Sequence, residues 1–153
     1  MEERSIKISL DKAREWYNQG GELKEIALSA FSEEEIKASM LPNSWEEFCK
    51  MYPTKINEWH INYDSNIKSL KKVGEQHLAQ IKLHQLRDCY RQGWVPDWCD
   101  DKQTKYGIFF DRYILGVQSR YYYSSFLSFQ SEEIAEKFLN NFKDLIETAG
   151  DLI

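Results

Sequence analysis

The three histidines and three cysteines of this chain are the residues whose chemistry suits metal binding or thiol catalysis. His77 and His84 lie seven residues apart on one predicted helix, and Cys89 follows five residues later. A metal site needs at least three converging ligands, and an i, i+4 histidine pair would bring two imidazoles to one ion. This spacing contains no such pair. We therefore expect partly exposed histidines on an amphipathic helix and no metal ligands.

Nucleophilic or acid–base catalysis has no better support in the sequence. A reactive thiolate needs a neighbouring base, whereas Cys99 is followed by Asp100 and Asp101. Most paired acids fall at predicted helix starts, where the positive end of the helix dipole accounts for them. Gly20 and Gly21 lack the following lysine and hydroxyl residue of a phosphate-binding loop. We expect a protein that is not an enzyme and that has no cofactor.

Aromatic residues, 14% of the chain, are the remaining functional signal. Alternation along predicted strands places Phe109 and Tyr122 on one sheet face, opposite Tyr121 and Tyr123. Exposed rings beside an arginine can stack on bases, sugars or a protein partner. The alternative is structural: N-terminal helices cover this face, and the two tryptophans clamp the turn around Pro96. The candidate binding residues are Trp94, Trp98, Phe109, Arg120 and Tyr122.

The composition predicts one globular domain, residues 1–153. Hydrophobic residues make up 42% of the chain, enough for a core, and a fold of this size buries about 70% of its unfolded surface. The net charge of −5 disfavours a nucleic-acid or anionic-membrane surface. No apolar run approaches the about 20 residues of a membrane helix, and the polar N-terminus does not resemble a secretory signal. Scattered cysteines indicate reduced thiols, so we predict a cytoplasmic protein.

Capping signals predict a cluster of short helices over residues 1–52. Residues 5–9 alternate, which indicates a short strand or an extended lead-in. Each predicted helix start follows a serine cap or a glycine pair. The four helices are predicted to begin after Ser9, at Glu22, after Ser32 and after Ser44.

The rest of the chain is predicted as an irregular connection, 53–74, and a helix–sheet–helix core, 75–153. Residues 58–62 within the connection have the pattern of a short strand. A longer helix is predicted over 75–91, since Gly93 is placed to end it and Pro96 prevents its continuation.

Alternating apolar residues predict a hairpin of strands 105–115 and 120–129. With the turn at 116–119, Leu115 lies opposite Arg120 and one face collects most of the apolar residues. The other predicted pairs are Tyr106 with Phe129, Ile108 with Leu127, Phe110 with Ser125 and Ile114 with Tyr121. A bulge near Asp111 would shift this register.

The last predicted element is an amphipathic helix that Ser131 caps and Gly150 ends. Glu132 and Glu133 in its first turn match the positive end of the helix dipole. Its apolar stripe needs a broad partner, and the hairpin is the nearest apolar face. We therefore predict the α+β class, with the C-terminal helix packed on an antiparallel sheet.

Three segments resemble a group of small hypothetical proteins of phages, prophages and mobile elements of gut bacteria. They are Ile8–Tyr17, the Gly93–Trp98 motif with Lys105 and Tyr106, and Phe126–Phe129 leading into Glu133–Ala135. In such proteins a helix is followed by a Gly-Trp-x-Pro-(Asp or Asn)-Trp turn, a sheet and a closing helix. The resemblance implies phage or mobile-element cargo and carries over no functional residues.

Two functions from different classes follow from these observations. The first is a non-enzymatic protein that acts through protein–protein contacts or self-association, as a virion or assembly component in its most specific form. The second is a nucleic-acid-associated accessory or regulatory protein, with a helix-turn-helix-like unit among residues 10–51. Either would work in the bacterial cytoplasm, and the first also in the virion.

Replacement of Trp98 tests whether the tryptophans are structural. If the ring is buried, Trp98→Ala should lower the free energy of unfolding by about 3–5 kcal/mol. A loss below about 0.5 kcal/mol would mean that the ring faces solvent and is available to a partner. Urea unfolding of the two proteins measures the difference.

Overall fold

A computed structural model describes residues 8–52, 68–111, 114–120 and 125–152. The chain divides into two compact units, Met1–Pro42 and Asn43–Ile153. The described residues contain six α-helices, a three-stranded antiparallel sheet and a closing 3-10 turn. The predicted α+β class is therefore confirmed, and the prediction of a single domain stays a prediction.

The first unit contains three helices whose starts match the capping signals. They are α1 (Leu10–Gln19), α2 (Gly21–Ala30) and α3 (Glu33–Ser39). The Ser9 side chain accepts a hydrogen bond from the backbone of α1. Ser32 and Glu35 form a reciprocal capping box at α3. These bonds satisfy backbone N–H groups that the helices leave without partners.

Small residues form the centre of the first unit. Ala13, Ala27 and Ile36 are buried, and five half-buried apolar side chains pack around them: Ile8, Trp16, Tyr17, Phe31 and Met40. Gly20, with φ of 76°, allows α1 and α2 to follow each other without a loop. A residue with a Cβ would be strained in that left-handed conformation.

The second unit begins with α4 (Trp45–Met51) and the long helix α5 (Lys68–Arg91). The Ser44 side chain caps α4 by accepting from the backbone N–H of Glu47. The prediction of a loop up to Gly74 was wrong, since α5 already includes residues 68–74. One glycine costs a helix only about 1 kcal/mol relative to alanine, so Gly74 does not end α5.

Three strands form the sheet, in the order β2-β1-β3. They are β1 (Lys105–Asp111), β2 (Ile114–Arg120) and β3 (Ser128–Phe129). The predicted turn at 116–119 was wrong, because those residues lie inside β2. The predicted strand over 58–62 lies outside the described residues. Of the predicted strand over 5–9, only residues 8 and 9 are described.

The predicted strand register was correct for the third strand and wrong for the second. Tyr106 lies opposite Phe129 as predicted, and the Ile108 N–H donates to the Leu127 carbonyl over 2.8 Å. Leu115, however, lies opposite Phe110 instead of Arg120. The period-two pattern is the same for two long strands and for three shorter ones, so alternation cannot distinguish them.

The C-terminal helix α6 (Glu132–Ala149) packs on the sheet, as predicted, and also along α5. Phe138 is buried where these elements meet. Its ring lies 5.1 Å from that of Tyr90 on α5 and 4.8 Å from that of Phe129 on β3. Phe142, one turn further along, also lies 4.8 Å from Phe138. This aromatic core joins both long helices to the sheet.

One polar group is included in the aromatic core. The Tyr90 hydroxyl accepts a hydrogen bond of 2.9 Å from the Asn141 side chain. Burial raises the pKa of Tyr90 to about 12, so its hydroxyl stays neutral in the folded protein at ordinary pH. A buried phenol with a partner fixes the rotation of α5 relative to α6.

Phe138→Ala should lower the free energy of unfolding by about 3–5 kcal/mol, because the substitution leaves a cavity between two helices and the sheet. Lys143→Ala, at an exposed position of the same helix, should change stability by less than about 0.5 kcal/mol. Urea unfolding followed by circular dichroism measures both. Equal effects of the two substitutions would contradict this description of the core.

Candidate binding site

The segment Gly93–Thr104, which we call the tryptophan loop, connects α5 to β1. The chain leaves α5 through two left-handed residues, Gln92 with φ of 48° and Gly93 with φ of 87°. The Trp94 N–H then donates to the Arg91 carbonyl over 2.8 Å. Glycine tolerates this conformation, and Pro96 cannot continue a helix, so the sequence ends α5 here.

Side chains inside the loop hold its backbone. The Asp97 N–H donates to the Gln103 side chain over 2.6 Å, and the Asp97 carboxylate accepts from the Cys99 N–H over 2.9 Å. The Asp100 carboxylate accepts from the Lys102 N–H over 2.8 Å. Aspartates that bond to a backbone N–H two residues later stabilise turns. The loop is therefore ordered by its own polar residues.

Lys105 anchors the base of the tryptophan loop. Its side chain is buried, and the ammonium donates to the carbonyls of Asp100, over 2.9 Å, and Gln103, over 2.8 Å. The same ammonium lies 5.5 Å from the centre of the Trp98 ring. Two carbonyls and an aromatic face compensate the loss of water around the buried charge. Sequence reasoning treated Lys105 only as part of a motif, since a lysine that opens a strand is usually exposed.

Trp94 and Trp98 are half-buried, while Val95, between Trp94 and Pro96, is open to solvent. Val95 is 74% exposed. The Arg91 guanidinium lies 5.7 Å from the centre of the Trp94 ring. Because Trp98 is only partly buried, the loss expected for Trp98→Ala falls below the about 3–5 kcal/mol of a fully buried ring.

The other predicted binding residues belong to the sheet. Phe109 is half-buried on β1, and its ring lies so close to Gly116 that a Cβ there would be 3.1 Å away. The backbone of Arg120 pairs with that of Lys105 at the end of the sheet where the loop joins β1. The Arg120 side chain and Tyr122 lie outside the described part of the structure. The structure thus brings together Trp94 and Trp98 in one loop, with the Arg120 backbone at its base.

A group of basic residues on α5, of which the two arginines are charged at neutral pH, was missed by sequence reasoning. His84, Arg87 and Arg91, which we call the basic face, follow one another at helical spacing next to the tryptophan loop. Burial, and then the charge of Arg87, lowers the pKa of Arg91 to about 10. Burial, followed by the charge of Arg87, also lowers the pKa of His84. The signal in the sequence was the helical spacing of His84, Arg87 and Arg91. Asp88 lies among them, so the segment does not stand out as basic.

Three comparisons with known proteins give no family for this chain. No protein-family model matches the sequence, and neither a curated protein nor a solved structure is significantly similar to it. Within the described residues, no group of histidine, cysteine and acidic side chains could hold a metal ion. No helix in that part of the chain is long and apolar enough to cross a membrane.

Lys105→Met should loosen the tryptophan loop, because two partly buried carbonyls lose their charged donor while the side-chain volume is nearly kept. We expect a loss of about 1–3 kcal/mol in unfolding free energy and stronger quenching of tryptophan fluorescence by acrylamide. Lys102→Met, at an exposed position of the same loop, is the matched control. Unchanged quenching in Lys105→Met would show that the ammonium does not order the loop.

Proposed function

We propose that this protein acts without catalysis, through contacts with another protein, and that the tryptophan loop makes these contacts. The observation that carries the proposal is Val95, which is 74% exposed on a loop that its own side chains hold in place. A loop that is ordered before it binds loses little conformational entropy on association. Val95 lies next to Trp94, and tryptophan and arginine are the residues that most often dominate binding energy at protein interfaces.

The surroundings of Val95 support a specific contact surface. Trp94 carries a cation over its ring, from Arg91, and Trp98 carries one from Lys105. Each ring is held on one side and half-exposed, so the loop offers aromatic surface in a fixed orientation. Aromatic residues with few rotatable bonds provide contact area at a low entropic cost.

The proposed setting comes from the resemblance to phage and mobile-element proteins. In that setting the protein would act in the cytoplasm of a bacterial host, and its partner would be a component of the virion or of its assembly. A nucleic-acid partner is the less favoured alternative. The net charge is −5, and α3, the third helix of the N-terminal unit, begins with three glutamates, which would repel phosphates.

Val95 and Ile114 make a matched pair for testing this proposal, since both are strongly exposed apolar residues, at 74% and 66%. A photo-reactive benzoylphenylalanine is placed at either position, and cells with an induced prophage are irradiated. We expect a cross-linked species of defined mass from position 95 and none from position 114. The virion fraction should contain the partner.

Val95→Asp provides the competition control for the cross-link. Wild-type protein without the photo-reactive group, co-expressed in excess in the same cells, should suppress the species from position 95. Val95→Asp should suppress it at least about tenfold less well, because a charge in an apolar contact is costly. Ile114→Asp should compete like the wild type. Cross-links of equal yield from both positions, or suppression by Val95→Asp, would refute the tryptophan loop as the contact surface.

A further inference from the structure

The basic face of α5 is fixed against residues 126–128, which lead through β3 into α6. Nη1 of Arg87 donates to the Phe126 carbonyl over 3.3 Å. Nε of Arg91 donates to the Ser128 carbonyl over 2.8 Å, and its Nη2 donates to the Ser128 hydroxyl over 2.6 Å. Both guanidinium groups are therefore held in one orientation and lose little freedom if they bind a ligand.

Aromatic rings contact all three side chains of the basic face. The Arg87 guanidinium lies 5.0 Å from the centre of the Phe126 ring, and the His84 ring meets the same phenylalanine edge-on at 4.0 Å. Arg91 lies over Trp94, the first tryptophan of the loop. Arg91 thus links the basic face to the tryptophan loop at Trp94, and the exposed Val95 is the next residue of that loop.

The positive charges on this surface are not balanced. Arg87 has a carboxylate partner in Asp88, at 2.6 Å, whose side chain is 64% exposed. Within the described residues, Arg91 has no carboxylate oxygen within 4.0 Å. Two guanidinium groups one helical turn apart repel each other, and partial burial strengthens that repulsion. An anion placed beside Arg91 would relieve it.

Donors remain available for such an anion. A guanidinium has five N–H groups. Arg91 uses two of them in its bonds to Ser128, and Nη1 is in neither of those bonds. The Arg91 side chain is only partly buried, so an anion can approach it from the exposed side.

We propose that the basic face binds carboxylate side chains of an acidic segment in the protein partner, while an apolar residue of that segment lies on Trp94 and Val95. This inference rests on the proposed function and names the chemistry of its partner. A protein segment fits better than a nucleic acid, because Asp97, Asp100 and Asp101 follow in the same loop. A continuous phosphate backbone would meet those acids, whereas one or two local carboxylates would not.

The test uses the full chain, labelled with nitrogen-15, and a synthetic peptide of one leucine followed by two glutamates. A peptide with glutamines in place of the glutamates is the reference. We expect the acidic peptide to shift the Nε–H signal of Arg91 and the indole N–H signal of Trp94 in nuclear magnetic resonance spectra. The reference peptide should bind at least about fivefold more weakly, and added salt should weaken the acidic peptide.

Three variants separate recognition from folding. Arg91→Gln should weaken the acidic peptide about tenfold, since one charge-assisted contact is lost. Lys82 is a cation of the same helix, and its ammonium lies 5.2 Å from the centre of the Trp45 ring. Lys82→Gln should change the affinity less than about twofold. Asp88→Asn removes the competing carboxylate and should tighten binding about threefold. A purely structural role for these residues predicts no gain of affinity.

Several results would overturn this inference. They are equal affinity for both peptides, equal losses in Arg91→Gln and Lys82→Gln, or weaker binding by Asp88→Asn. A single-stranded oligonucleotide that shifts the same signals at lower concentration would replace the acidic segment with nucleic acid. If these peptide results fail while the cross-link from position 95 persists, the proposed protein contact stands without acidic recognition. If the peptide results hold but position 95 gives no specific cross-link, the proposed protein contact is refuted and a carboxylate site on α5 remains.

Discussion

The packing of Phe138 against Tyr90 and Phe129 is the contact on which the second unit depends. It joins α6, α5 and β3 at one point, and all three rings are buried. Every feature that we assign to function starts from these elements. The tryptophan loop leaves from the end of α5, and the basic face lies along that helix. Displacing α5 from the sheet would move the anchors of both surfaces together.

Two cations, one buried and one half-buried, connect parts of this fold that apolar contacts usually connect in a small domain. Lys105 closes the tryptophan loop from inside, and Arg91 connects α5 to β3. Such groups contribute orientation more than stability, because desolvation offsets much of each attraction. Carbonyls and aromatic rings are their partners, so their charges are not neutralised. The chain as a whole nevertheless has a net charge of −5.

The parts of the fold that local chemistry specifies could be read from the sequence. The caps at Ser9, Ser32, Ser44 and Ser131 were predicted from residue type and spacing, and each side chain makes the expected bond. The stripe of α6 likewise required an apolar partner. The early start of α5 was missed because the polar, lysine-rich residues before Gly74 have the composition of a loop, whereas α5 already begins at Lys68.

Residue order alone determined the caps, the helix ends at Gly20 and Gly93, and the amphipathic C-terminal helix, because these depend on interactions within about one turn of the chain. Tertiary structure decided the strand register, since Leu115 could lie opposite Phe110 or Arg120 with the same alternation. It also decided the candidate site. Lys105 and Arg91 are surrounded by carbonyls and aromatic rings that reach them only when the chain folds. No local sequence pattern specifies those contacts.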